Sequence, residues 1–161
     1  MRKIFFLALL LVGLAGCATA PAPYGNFIQN SAQANDKKVV DDVVKKLVAL
    51  YPPASTRFDL QHVTPDYFGT YLVESMRAKG YAVLEFKPEP KAAIAASSAS
   101  EPAAATPATP GLSLSYIVDQ AKGSDLSRVT LVINRQQSLD RVYQIAQDGV
   151  IYPAGYWVRK E

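Results

Sequence analysis

The chain has 161 residues, 49% apolar and 19% charged, enough for one domain with a modest core. Its formal charge of +3 drops to about +1 once Arg2 and Lys3 are set aside, leaving fifteen basic against fourteen acidic side chains. That balance lacks the electrostatic footprint of a nucleic-acid-binding protein, and a single cysteine excludes an intrachain disulfide, so the fold must rest on apolar packing.

Arg2 and Lys3 precede an apolar run over residues 4–12, and small residues then lead into Leu14-Ala15-Gly16-Cys17. The run is shorter than the ~20 apolar residues of a membrane-spanning helix. Residues 1–16 are therefore expected to be a secretory signal peptide. The run ending in Cys17 resembles a bacterial lipobox, in which the thiol is acylated and the peptide is cut just before it. Cys17 is thus the expected lipidation site, its thiol consumed and no longer able to pair between chains. The resemblance implies several acyl chains, palmitate among them, since one chain alone binds a membrane only reversibly. Ala18 stands where an Asp would signal inner-membrane retention, so the resemblance implies an outer-membrane lipoprotein whose domain faces the periplasm.

Residues 17–35 read as a lipidated tether, small and punctuated by proline, with Phe27 and Ile28 as its only adjacent apolar pair. A domain over 36–161 follows. Asn35 is placed to cap a helix and Asp36 lies in its first turn. Val39, Val40, Val43, Val44, Leu47, Val48, Leu50 and Tyr51 recur at helical spacing, and Pro52-Pro53 ends the helix. Its many valines lower intrinsic helix propensity, so the helix needs a packing partner. Residues 56–61 alternate as a strand with Phe58 and Leu60 facing in. Thr64 then reads as a cap with Pro65 in the first helical position. Phe68, Tyr71, Leu72 and Met76 form the stripe of this second helix, which Lys79 and Gly80 close. Residues 81–86 are again a strand.

Residues 87–111 are almost entirely Ala, Pro, Ser and Thr. Such a segment buries too little apolar surface to offset its ordering entropy, and it reads as a disordered insertion between two neighbouring strands. Strand signals return at 112–118, 129–134 and 141–147, with turns at 122–125 and at Asp148-Gly149, a two-residue hairpin signal. Residues 150–159 close the chain, interrupted at Pro153-Ala154-Gly155 by a bulge or edge. The expected class is α+β: a two-layer sandwich with two helices packed on one face of a mostly antiparallel sheet.

Chemistry is sparse. His62 is the only histidine, with Asp59, Asp66 and Ser55 near it in sequence. No glycine-rich turn or nucleophile elbow surrounds a serine, so His62 reads as a solvent-facing loop residue. No catalytic residue, metal ligand set or cofactor is expected, and no small-molecule substrate. The aromatic segment containing Tyr152, Tyr156 and Trp157 is the best candidate for a partner contact, since Tyr and Trp carry binding energy well. In an extended strand Tyr156 and Trp157 point to opposite faces, so one aromatic should remain outside.

Taken together, several segments resemble the conjugal transfer family TrbH. They are the lipobox, Tyr24-Gly25-Asn26-Phe27, the stretch Leu47-Val48-Ala49-Leu50-Tyr51-Pro52-Pro53-Ala54-Ser55-Thr56-Arg57-Phe58, then Met76-Arg77-Ala78-Lys79-Gly80-Tyr81-Ala82-Val83, and finally Pro153-Ala154-Gly155-Tyr156-Trp157. The most specific element is Leu-Tyr-Pro-Pro-Ala-Ser-Thr. The resemblance implies a lipoprotein of the mating-pair-formation apparatus, a type IV secretion system. Its partners would be the membrane, through the lipid, and other envelope subunits of the channel, with no direct contact to DNA. Two other readings fit the residues: a periplasmic module binding peptidoglycan or another envelope polymer through the aromatic C-terminal strand, and a hydrolase built on Ser55 or His62.

Overall fold

The computed structural model describes residues 23–88 and 110–161. Cys17, the signal sequence and residues 89–109 of the Ala/Pro-rich segment lie outside the described residues. In chain order the elements are strand β1 (Gly25–Asn26), helix α1 (Gln33–Leu50), a 3-10 turn (Pro53–Ser55), strand β2 (Arg57–Leu60), helix α2 (Tyr67–Ala78) and strand β3 (Ala82–Leu84). Strands β4 (Leu112–Gln120), β5 (Leu126–Ile133), β6 (Gln137–Ile145), β7 (Ile151–Pro153) and β8 (Val158–Lys160) follow. The class is α+β, with an open, mostly antiparallel sheet ordered β3-β2-β4-β5-β6-β7.

Two helices cover one face of that sheet. Leu114, Tyr116 and Val118 of β4 alternate inward, as do Val129, Leu131 and Ile133 of β5 and Leu139 and Tyr143 of β6. They join Val40, Val43, Val44 and Leu47 of α1 and Phe68, Leu72 and Met76 of α2 in one apolar core. The valine-rich α1 thus has the partner it requires: packing offsets its modest intrinsic propensity.

The antiparallel half, β4 to β8, matches the expected pattern. The other half is parallel: β2 runs parallel to both β3 and β4, and β2-α2-β3 forms a βαβ unit. The 87–111 segment therefore does not join neighbouring strands, because β2 lies between β3 and β4. Parallel pairing is set by distant residues and leaves no turn signature in the sequence. β1 lies inside the stretch read as a tether and pairs in parallel with Ile117 and Val118 of β4. Both β1 and β2 use the edge of β4 opposite β5, one after the other along its length.

Four local expectations are corrected. Asn35 does not cap α1, whose N-cap is Ala32. Its side chain instead donates to Gly149 O at 2.9 Å and accepts from Ile151 N at 3.1 Å, tying the helix to the β6–β7 hairpin. Asp66, not Thr64, caps α2, accepting from Gly69 N at 3.1 Å, so Pro65 lies outside the helix. The Asp148-Gly149 turn has three loop residues, not two: Ala146 N donates to Val150 O and Gly149 N to Ala146 O, both at 2.9 Å. Gly149 sits at φ +78°, the left-handed position that such a loop requires. The fourth correction concerns His62, which is buried, with 8% of its surface exposed. Among the described residues no helix is long and apolar enough to cross a membrane.

Candidate functional site

The candidate contact residues sit along the edge of β6 opposite β5. β7 and β8 both pair with that edge, at 143–145 and 138–140, and residues 154–157 bridge the gap between them. The bridge is held from inside. Ala154 N donates to Val142 O at 2.9 Å, and Arg141 Nε donates to Gly155 O at 3.1 Å. Arg141 also donates from Nη1 to Asp42 Oδ2 at 2.7 Å, and the Tyr143 hydroxyl donates to the same oxygen at 2.7 Å. One α1 carboxylate thereby fixes two β6 side chains. Burial and the Asp42 carboxylate together push the Tyr143 hydroxyl far above the usual tyrosine range, so it stays a donor.

On this frame the three aromatics take different positions. Trp157 is half-buried, packed against the core, and its ring lies 5.7 Å from the Arg141 guanidinium carbon. Tyr156 is 93% exposed. Tyr152 is half-exposed, with Lys38 Nζ 5.6 Å from its ring centre. Sequence alternation separates Tyr156 from Trp157, but nothing in the local pattern points to Asp42 and Arg141, ninety-nine residues apart, as the brace beneath them. The arrangement offers a fixed aromatic surface and free strand edges. Such a surface can bind a partner by side-chain burial or strand addition.

The residues weighed for catalysis are committed elsewhere. Tyr116 N donates to His62 Nε2 at 3.2 Å, so Nε2 is unprotonated and Nδ1 carries the proton, donating to Val63 O at 2.9 Å. Both ring nitrogens face backbone groups, and burial holds the His62 pKa below its ordinary value. Ser55 Oγ donates to Pro52 O, and Asp59 accepts two hydrogen bonds from Arg57. Asp66 caps α2 with Oδ1 and accepts from the Tyr116 hydroxyl at Oδ2.

The segments singled out in the sequence are joints of this fold. Tyr24 stacks on His62 at 5.9 Å, and Phe27 N donates to Val118 O. The Leu-Tyr-Pro-Pro-Ala-Ser-Thr run turns α1 into β2. Tyr51 caps the helix through its N–H to Leu47 O, and the Tyr81 hydroxyl donates to Tyr51 O at 2.6 Å. Residues 21–161 match the family model for the conjugal transfer protein TrbH. The chain belongs to the TrbH family. It is accordingly a component of conjugal transfer, and other subunits of a transfer system are its partners by family. No curated protein and no solved structure matches it significantly. In this TrbH domain the stretches on which the resemblance was read build the α1–β2 joint, the β1–β4 pairing and the aromatic bridge on β6.

Proposed function

We propose that the protein is a lipid-anchored, non-enzymatic assembly component of a mating-pair-formation type IV secretion apparatus. Cys17 carries the acyl chains, and the domain hangs from the outer membrane into the periplasm. The Tyr152–Tyr156–Trp157 edge docks on neighbouring envelope subunits. The observation that supports this reading is Leu14-Ala15-Gly16-Cys17 at the end of an apolar run, directly upstream of a TrbH domain. An anchor at that point makes the work of the domain positional.

Mass spectrometry of protein purified from cells tests the reading. The expected product begins at Cys17 and carries diacylglycerol and an amide-linked acyl chain, in the outer-membrane fraction. A Cys17→Ser chain should stay uncleaved or misplaced and should fail to restore DNA transfer to a deletion strain, while DNA nicking continues. An unmodified thiol on a freely soluble product overturns the reading. Sedimentation of the domain with purified cell wall would favour an envelope-polymer binder instead.

A further inference from the structure

A groove of about 510 Å³ opens to solvent between the two helices. α1 supplies one wall with Asp41, Val44, Lys45 and Val48, whose spacing of i, i+3, i+4 and i+7 puts them on one helix face. Val48 continues the row of the buried Val40 and Val44, yet it is 36% exposed. On the other wall α2 presents only the small Ser75 and Ala78 between Tyr71 and Lys79, so the groove stays open. Tyr71 is held in place: its hydroxyl donates to Asp41 Oδ1 at 3.1 Å, and Tyr67 stacks on its ring with centres 6.0 Å apart. The rim is basic. Lys37 Nζ lies 5.6 Å from the Tyr71 ring centre, and Lys45 and Lys79 stand exposed on opposite walls. Among the described residues none of these three lysines forms an ion pair. Asp41, the one acid among the described lining residues, is engaged by Tyr71.

An apolar floor between cationic walls suits an occupant of the opposite pattern, apolar along its centre and anionic on its flanks. We propose that this groove docks an acidic amphipathic helix of a partner protein. Apolar side chains of that helix rest on Val44, Val48 and the Tyr71 ring, and its Glu or Asp side chains meet Lys45 and Lys79. The lysine stems add apolar cover while their ammonium groups reach the carboxylates. A helix fits better than an extended peptide. Both walls are helices whose backbone groups are bonded within them, so a strand would find no main-chain partner. A helix brings its own backbone bonds and packs its side-chain ridges into the seam. A basic segment would meet three ammonium groups against one carboxylate. An anionic bilayer attracts the same lysines, but a flat surface does not reach a floor set between two helices, where Val44 is 1% exposed. This surface is separate from the Tyr152–Tyr156–Trp157 edge and does not rest on the lipid anchor.

A backbone-amide NMR titration of the purified full chain tests it. The probe is an end-capped peptide of about fifteen residues, long enough to form a helix, with Leu at helical spacing and Glu at the flanking positions. One control peptide carries Lys in place of every Glu, and a second carries Ala in place of every Leu. Vesicles of phosphatidylglycerol and phosphatidylcholine are titrated in parallel. The Glu peptide should give saturable shifts at residues 44–48 and 71–79 and bind about tenfold tighter than either control. A chain carrying both Lys45→Glu and Lys79→Glu should lose that affinity and prefer the Lys peptide, a gain that unfolding cannot produce. Val48→Gln, at an exposed position, should weaken the Glu peptide while the spectrum elsewhere stays unchanged. Equal binding of the Glu and Lys peptides, shifts centred away from the groove, no shifts with any peptide, or an unchanged preference in the charge-reversed chain overturns the site. Shifts at the same residues with vesicles but not with the Glu peptide overturn it in favour of a bilayer surface. Shifts there that grow with protein concentration alone overturn it in favour of a second copy of this chain.

Discussion

The Nε2 atom of His62 accepts the Tyr116 backbone N–H at 3.2 Å, at the point where β4 has left β2 and has not yet met β1. A side chain there takes the place of a strand. On the β2 side Gln61 N donates to Leu114 O, and on the β1 side Gly25 and Asn26 pair with Ile117 and Val118. Tyr116 N falls between them, and the imidazole satisfies it where a bare gap would leave it unpaired.

That bond makes stability depend on pH. Nε2 can accept only while it is unprotonated, and burial lowers the folded-state pKa below the ordinary 6.5. Below pH 6.5 the unfolded chain therefore binds more protons than the folded one. The His62 contribution is complete above that pH and is lost as pH falls toward the folded value. Urea midpoints measured at pH 7.5 and 5.5 should show a drop in the native chain. His62→Gln keeps an acceptor without a titration in this range, so its drop should be smaller. Asp36, whose pKa is raised by burial, works in the opposite direction at lower pH but is common to both chains.

Gly69 leaves no room for a methyl group. A Cβ there would overlap the Tyr116 hydroxyl and come within 2.6 Å of Thr64 Cβ. Gly69→Ala should cost about 1–3 kcal/mol as overpacking. Tyr116→Phe removes one of the two obstacles, so the double variant should be less destabilised than the sum of the singles. Chemical denaturation of the four chains measures the coupling.

Asp42→Ala removes the shared acceptor of Arg141 and Tyr143 in the half-buried layer between α1 and β6. The expected loss is about 2–3 kcal/mol, since hydrogen bonds to a charged group exceed neutral ones. Trp157, the single tryptophan, lies over Arg141, so its fluorescence should red-shift as the bridge loosens.

Tyr156→Ala should leave the unfolding midpoint within about 0.5 kcal/mol of the native chain, because the ring is 93% exposed. If this edge contacts the channel, the same change should lower transfer frequency and co-purification with envelope subunits. Native levels of both would exclude Tyr156 from the contact.

Helices and antiparallel strands were readable because their signals are local. Val39, Val43 and Leu47 mark a buried face by spacing alone, and Phe58 and Leu60 do so by alternation. What escaped was decided by residues far apart. Asn35 has the chemistry of a cap, yet the β6–β7 hairpin supplies it with better partners. His62 does lie in a loop, but it looked solvent-facing because its burial and acceptor role depend on β4, fifty-four residues away. The β5–β6 turn was hidden because Asn134 and Arg135, at φ 53° and 57°, fill positions where glycine would have signalled it. Tyr152, Tyr156 and Trp157 were legible as an aromatic run. The Asp42–Arg141 brace beneath them was not, since Asp42 occupies an ordinary polar position on α1.

The pairing of β1 with β4 also decides how this molecule carries mechanical load. Any tension on the chain upstream of Gly25 enters the central strand of the sheet through a ladder only two residues long, before it reaches either helix. That ladder is the weakest link in series with the core. A strong pull will peel Gly25–Asn26 away first, expose the ring of His62 beneath Tyr24, and leave the rest of the sheet intact.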